Sequence, residues 1–176
     1  MRRIQHRRGR RGAELLEFTF VGIPVIFILI SIFEISRGMW NYHTLAEAVK
    51  TGTRFEAVRG QDVQGQTACQ SNEETCGATV NAVVSTLVSA STGLPPAAWS
   101  ATLSAGTASI TCSPLSSCIG KTTTWAPSGN NAPGTTISIS ATYNFASALA
   151  MFWPGSRPVQ FGTVTWRAFS QQTIQY

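Results

Sequence analysis

The chain has 176 residues and a formal charge of +5, which suits one small domain with an accessory segment. Six of its 13 Lys and Arg precede Ala13, so the rest sits near neutrality against eight Asp and Glu. This argues against a nucleic-acid-binding body, which needs basic residues clustered on a folded face, and the 12% share of charged residues is unusual for a cytosolic enzyme.

The early basic residues are Arg2, Arg3, Arg7, Arg8, Arg10 and Arg11. They stand directly before Gly12-Ala13-Glu14-Leu15-Leu16-Glu17-Phe18. An uncharged run then extends from Phe18 to Phe33, FTFVGIPVIFILISIF. With Ala13, Leu15 and Leu16 it reaches about 20 residues, enough to cross a bilayer core of ~30 Å. Arginines in front of such a run keep the N-terminus cytoplasmic and send the rest across. Membrane lipid is therefore the first expected partner. The arginine tail is accounted for by this orientation rule, and no nucleic-acid partner is expected.

Three readings of this segment compete. A cleaved secretory signal needs a small-residue site after the apolar run, but Glu34-Ile35-Ser36-Arg37-Gly38-Met39-Trp40 follows instead. An uncleaved signal anchor explains the arginines and the apolar run but not Glu17, because a carboxylate in a membrane segment is expensive. Cleavage after Gly12 leaves the apolar helix as the mature N-terminus and explains both Gly12 and Glu17. Pro24 lies inside the run, where proline removes a helix hydrogen bond. With Gly22 nearby, Phe20 to Pro24 is either a flexible point or a tolerated membrane-helix proline.

No strong breaker other than glycine interrupts Ser36 to Arg59. At 100° per residue, Met39, Tyr42, Leu45, Ala46, Val49 and Gly52 share an apolar stripe. His43, Glu47, Lys50 and Arg54 form a polar stripe beside it. Trp40, Ala48, Phe55 and Val58 fall outside the main stripe, which predicts a second apolar face. One helix from Ala13 to about Arg59 would measure roughly 70 Å.

The rest of the chain reads as a small α+β body. Cys69 and Cys76 fall in a polar loop, Cys112 and Cys118 in a long Ser/Thr/Gly/Pro segment. An even count suits two disulfides in an oxidising compartment. Local pairing is preferred among the three connectivities that sequence allows. Zinc is the weaker reading, since the spacings exceed CxxC and both histidines lie far away. Ala78 to Ser91 predicts a short helix. Trp99–Cys112, Thr136–Phe145 and Phe161–Ser170 predict strands, the second with the clearest alternation. Ala148 to Pro154, with Met151, Phe152 and Trp153, is either core or an exposed contact patch. Helices first and strands later predict an α+β fold: a long N-terminal helix, half membrane and half amphipathic, packed on a small antiparallel sheet. No catalytic residue, metal site or cofactor motif is recognisable.

Gly12, four residues, Glu17 and the aromatic Phe18 resemble the processing motif of type IV pilin-like proteins. The match is closest to the TadE-like family of the tight-adherence, Flp-type system. The apolar run with its proline, Glu34 near its end, and Arg37-Gly38-Met39-Trp40-Asn41-Tyr42 also look TadE-like. The long body after the helix resembles minor pilins or pseudopilins rather than the short major pilins, which also usually carry Tyr where Phe18 stands.

The resemblance implies a type IV pilin-like fold and a prepilin peptidase that cuts between Gly12 and Ala13. It implies assembly with other pilin or pseudopilin subunits through Glu17 and Phe18, on an inner-membrane assembly platform. Glu17 would then pair with a neighbour's new ammonium at Ala13. The expected divisions are a leader at 1–12, a transmembrane helix at 13–35, its amphipathic continuation at 36–59 and an exported domain at 60–176. The expected location is the bacterial inner membrane, with a periplasmic body, or a place in an extracellular pilus. The alternative is an uncleaved single-pass protein whose exported domain binds a ligand or partner.

Overall fold

The computed structural model describes residues 10–60, 78–147 and 163–175. The expectations for Cys69, Cys76 and the Met151–Trp153 patch lie outside the described residues.

Helix α1 (Arg10–Ala57) is continuous for 48 residues, including Pro24. At 1.5 Å per residue it measures about 72 Å. Helix α2 (Val80–Ala90) begins at Thr79, whose side chain accepts a hydrogen bond from the amide of Ala82 at 3.1 Å. That satisfies one of the amides a helix start leaves open. Val80, Val83, Val84 and Leu87 of α2 are all buried.

Four strands follow among the described residues: β1 (Trp99–Ala105), β2 (Ala108–Cys112), β3 (Thr136–Ala146) and β4 (Thr163–Thr173). They form one antiparallel sheet in the order β2-β1-β3-β4. The single strand expected over Trp99–Cys112 is corrected to a hairpin. Its turn is Gly106-Thr107, with Gly106 at φ +54 and Ala105 paired to Ala108. A two-residue hairpin loop favours glycine at its first position because that residue takes positive φ. The fourth strand begins at Thr163 and ends at Thr173, so its C-terminal end lies beyond the expected Ser170.

One face of the sheet is apolar. Trp99, Ala101, Leu103 and Ala105 of β1 are buried in strict alternation, as are Ile137, Ile139 and Ala141 of β3. Helices α1 and α2 cover this face and contact each other. Gly52 of α1 marks the tightest crossing. A Cβ there would stand 2.6 Å from Cδ2 of Leu87 and 2.9 Å from Cδ1 of Ile139. The architecture is thus a long helix packed on an antiparallel sheet, an α+β arrangement.

Two elements flanking α1 change which of its residues are buried. Leu45, Ala48, Val49, Gly52, Thr53, Glu56 and Ala57 face the body. Ala48, expected off the main stripe, is fully buried, whereas Met39, expected on it, is 45% exposed. A helix wedged between a sheet and a second helix buries a wider arc than a single stripe. Trp40 and Val58 remain exposed, on the side away from the body.

Candidate assembly and anchoring helix

The two halves of α1 differ in what surrounds them. From Glu14 to Phe33 almost every residue is exposed, with Phe18 at 76% and Phe33 at 75%. This is the helix of the described residues that is long and apolar enough to cross a membrane. Unlike the apolar core helix of a soluble protein, its most apolar stretch is not buried in the body. An exposed apolar surface of this size needs either lipid or other protein around it.

Gly12, Glu17 and Phe18 all lie on the first turns of this bare half, together with Ala13. Gly12 has open space around it, with no heavy atom within 4 Å of an added Cβ. Glu14 and Glu17 are exposed, three residues apart on one face of the helix. Both stand beyond the first turn of α1, which starts at Arg10 and carries no acidic residue, so the helix dipole gives them little support. Hydroxyls within the apolar run satisfy themselves locally: Thr19 donates to the carbonyl of Leu15 at 2.7 Å and Ser31 to that of Phe27 at 2.8 Å. Pro24 has no N–H to offer the carbonyl of Phe20, which loses its usual helix partner.

The bare half ends at a cluster of contacts with the body. Arg37 pairs with Glu34 at 3.1 Å and donates to the carbonyl of Ala146 at 2.9 Å. Its guanidinium lies 4.7 Å from the ring centroid of Phe145. The Ser147 hydroxyl donates to Glu34 at 2.9 Å. Beyond this cluster the packed half runs along β4 until the amide of Gln175 donates to the carbonyl of Ala57 at 2.8 Å. Thr53 and Ser170 hydroxyls meet between these ends at 2.8 Å.

Residues 12–54 match the family model described as TadE-like protein. The match spans the bare half of α1 and most of the packed half, and stops before α2 and the sheet. No curated protein and no solved structure matches the chain. The matched segment includes the apolar run, which by length and composition suggests a single membrane pass.

Cys112 and Cys118 lie at the end of β2 and in a short 3-10 helix, Leu115–Cys118. Their Cα atoms are 5.6 Å apart and their sulfurs are bonded. Both are fully buried, beside Leu115. The pairing closes the start of the long β2–β3 connection far from the TadE-like residues in sequence.

The sequence reading missed Glu56. This side chain is 4% exposed, among Ala57, the β2–β3 connection and the core face of α1. Burial pushes its pKa from 4.5 up to about 8. The indole of Trp125 lies beside the carboxyl and draws the pKa back slightly, but in poor hydrogen-bond geometry. Both Glu56 oxygens and Nε1 of Trp125 are buried without a hydrogen-bond partner. A signal was present: Leu45, Val49, Gly52 and Glu56 recur at helical spacing, placing an acid on the buried stripe.

Proposed function

We propose that the chain is a minor pilin or pseudopilin of a tight-adherence-type pilus or secretion apparatus. It is made as a precursor, cut after Gly12 by a prepilin peptidase, and assembled with other subunits through its N-terminal helix. One observation carries this reading: the TadE-like match, residues 12–54, takes in Gly12, Glu17 and the whole exposed apolar stretch from Glu14 to Phe33.

The chemistry of the cut supports the reading. Glycine has no side chain, so its backbone can approach a protease closely. Cleavage removes the six arginines that hold the helix end at the cytoplasmic surface. It also creates an ammonium at Ala13. Glu17 is then the charge that a neighbouring subunit's ammonium answers, since a carboxylate among apolar helices needs such a partner. The body sits on the far side of the inner membrane, and the role is structural rather than enzymatic.

Sequencing the N-terminus of the mature chain, expressed alongside a prepilin peptidase, tests this. A chain that starts at Ala13 supports the proposal. A chain that keeps Met1 fits the uncleaved single-pass alternative and removes the pilin reading.

A further inference from the structure

The outer end of the bare half of α1 opens into an apolar groove. Ile35, Gly38 and Met39 form one wall, and Phe145, Val164 and Trp166 at the ends of β3 and β4 form the other. Its volume is about 350 Å³. Gly38 leaves room between the walls: a Cβ there would reach 3.5 Å from Cζ2 of Trp166 and 3.8 Å from the Phe145 ring.

The position of the groove along α1 limits what can fill it. About 20 residues cross the hydrocarbon core, so a span starting near Leu15 ends near Ile35. Gly38 and Met39 then lie only about 5 Å further out at 1.5 Å per residue. The surrounding aromatics fit that depth. Trp40 is 64% exposed, and Tyr42 packs on Trp166 with ring centroids 5.5 Å apart. Trp and Tyr collect at the headgroup level of membranes. Arg37, ion-paired with the groove-lining Glu34 at 3.1 Å, stands at the rim with its side chain half exposed, so its other guanidinium N–H groups are open to a lipid phosphate.

Depth selects the occupant: a groove that opens at the edge of the hydrocarbon core faces acyl chains, which are narrow and apolar like its walls. We propose that the groove seats an acyl chain of a phospholipid from the leaflet at which α1 leaves the bilayer, with Arg37 facing the phosphate. This inference rests on the bare half of α1 lying in a membrane, and not on cleavage after Gly12.

The test uses the full chain in phosphatidylcholine vesicles containing a trace of phosphatidylcholine with a diazirine on its acyl chain. After irradiation, adducts are mapped by mass spectrometry. The expected result is labelling of Phe145 and Val164 in addition to residues 18–33. Gly38→Leu fills the groove and Val164→Glu makes its wall polar. Each lowers the groove adducts severalfold and leaves the span adducts unchanged. Two substitutions on different elements guard against one that misfolds. Adducts confined to 18–33 overturn the groove proposal while leaving the membrane reading intact. No adducts anywhere remove both. Groove adducts that persist at full level in both variants also overturn the seat. A benzoylphenylalanine at position 164 that captures a second chain instead of lipid does the same, by assigning the groove to a neighbouring subunit.

Discussion

Arg37 on α1 holds Ala146 at the end of β3, its guanidinium donating to the Ala146 carbonyl at 2.9 Å across 109 residues of sequence. The same nitrogen reaches Glu34, and Ser147 reaches Glu34 from the body side. The point at which the apolar run ends is thereby tied to one end of the sheet. The other end is tied where Gln175 meets Ala57.

Arg37→Ala removes a charge-assisted hydrogen bond and the contact over Phe145. The group is half exposed, so solvent screens much of the gain, and the expected loss is about 1 kcal/mol. The effect should be local. Amide exchange should quicken at Phe145 and Ala146 and stay unchanged at Leu103 and Ala105. Equal acceleration at all four positions would show that Arg37 supports the whole sheet rather than its end.

Gly52 allows α1 to approach α2 and β3. Both neighbours are fully buried: Leu87 and Ile139 have no exposed surface into which to retreat. Gly52→Ala gains roughly 1 kcal/mol of helix propensity but forces these side chains apart. Overpacking of this kind costs about 1–3 kcal/mol, so Ala should be destabilising on balance and Val more so. Denaturant midpoints of the two variants against the parent measure the order. A midpoint above the parent for Gly52→Ala would mean that the helices separate at little cost.

Glu56 predicts how stability changes with pH. Its folded pKa, about 8, lies above the 4.5 of the unfolded chain. Between these values the folded chain binds more protons than the unfolded one, so stability falls as pH rises through this window. Below 4.5 both states hold the proton and the group adds no slope. Above 8 both have lost it and the slope vanishes again. Glu56→Gln keeps the shape without titrating and should flatten the curve between pH 4.5 and 8. The gap between variant and parent should be largest at the alkaline end, on the order of a few kcal/mol. Parallel curves would mean that Glu56 ionises in the folded chain with little penalty.

The long helix and the alternation in β3 were legible because each is a sustained periodic signal over many residues. The hairpin was legible only through a change of parity. Trp99, Ala101, Leu103 and Ala105 face inward at odd positions, then Ala108, Ile110 and Cys112 carry the apolar pattern at even ones. Two residues of turn produce that switch, and reading Trp99–Cys112 as one strand passes over it. The burial of Ala48 and Glu56 was harder to see. Glu56 continues the helical spacing of Leu45, Val49 and Gly52, but the width of the buried arc that takes in Ala48 depends on how other elements pack around α1, which no local period encodes. The groove was not legible either, since Gly38 and Trp166 meet only because α1 runs alongside β4. The Gly12–Glu17 spacing is visible in the sequence, and its reading as a processing motif comes from the resemblance to pilin-like proteins.

Glu17 tests the assembly role apart from the cut. The residue is exposed on the bare half of α1 and makes no ion pair or hydrogen bond among the described residues. It lies about two turns into α1, past the first turn where the helix dipole favours negative charge, so its charge has no evident work to do among the described residues. Packed among apolar helices, the same carboxylate becomes costly unless an ammonium faces it. Removing one partner of such a buried pair typically costs about 3–5 kcal/mol. Glu17→Ala should therefore leave the mature N-terminus at Ala13 while lowering incorporation into filaments or assembly intermediates by well over tenfold. Glu17→Gln separates charge from shape, because an amide fits the same space but cannot pair with an ammonium. It should fail nearly as badly as Ala. Co-purification of each variant with other pilin subunits, beside N-terminal sequencing, gives both readouts from one preparation. Normal incorporation of Glu17→Gln would remove the ion pair.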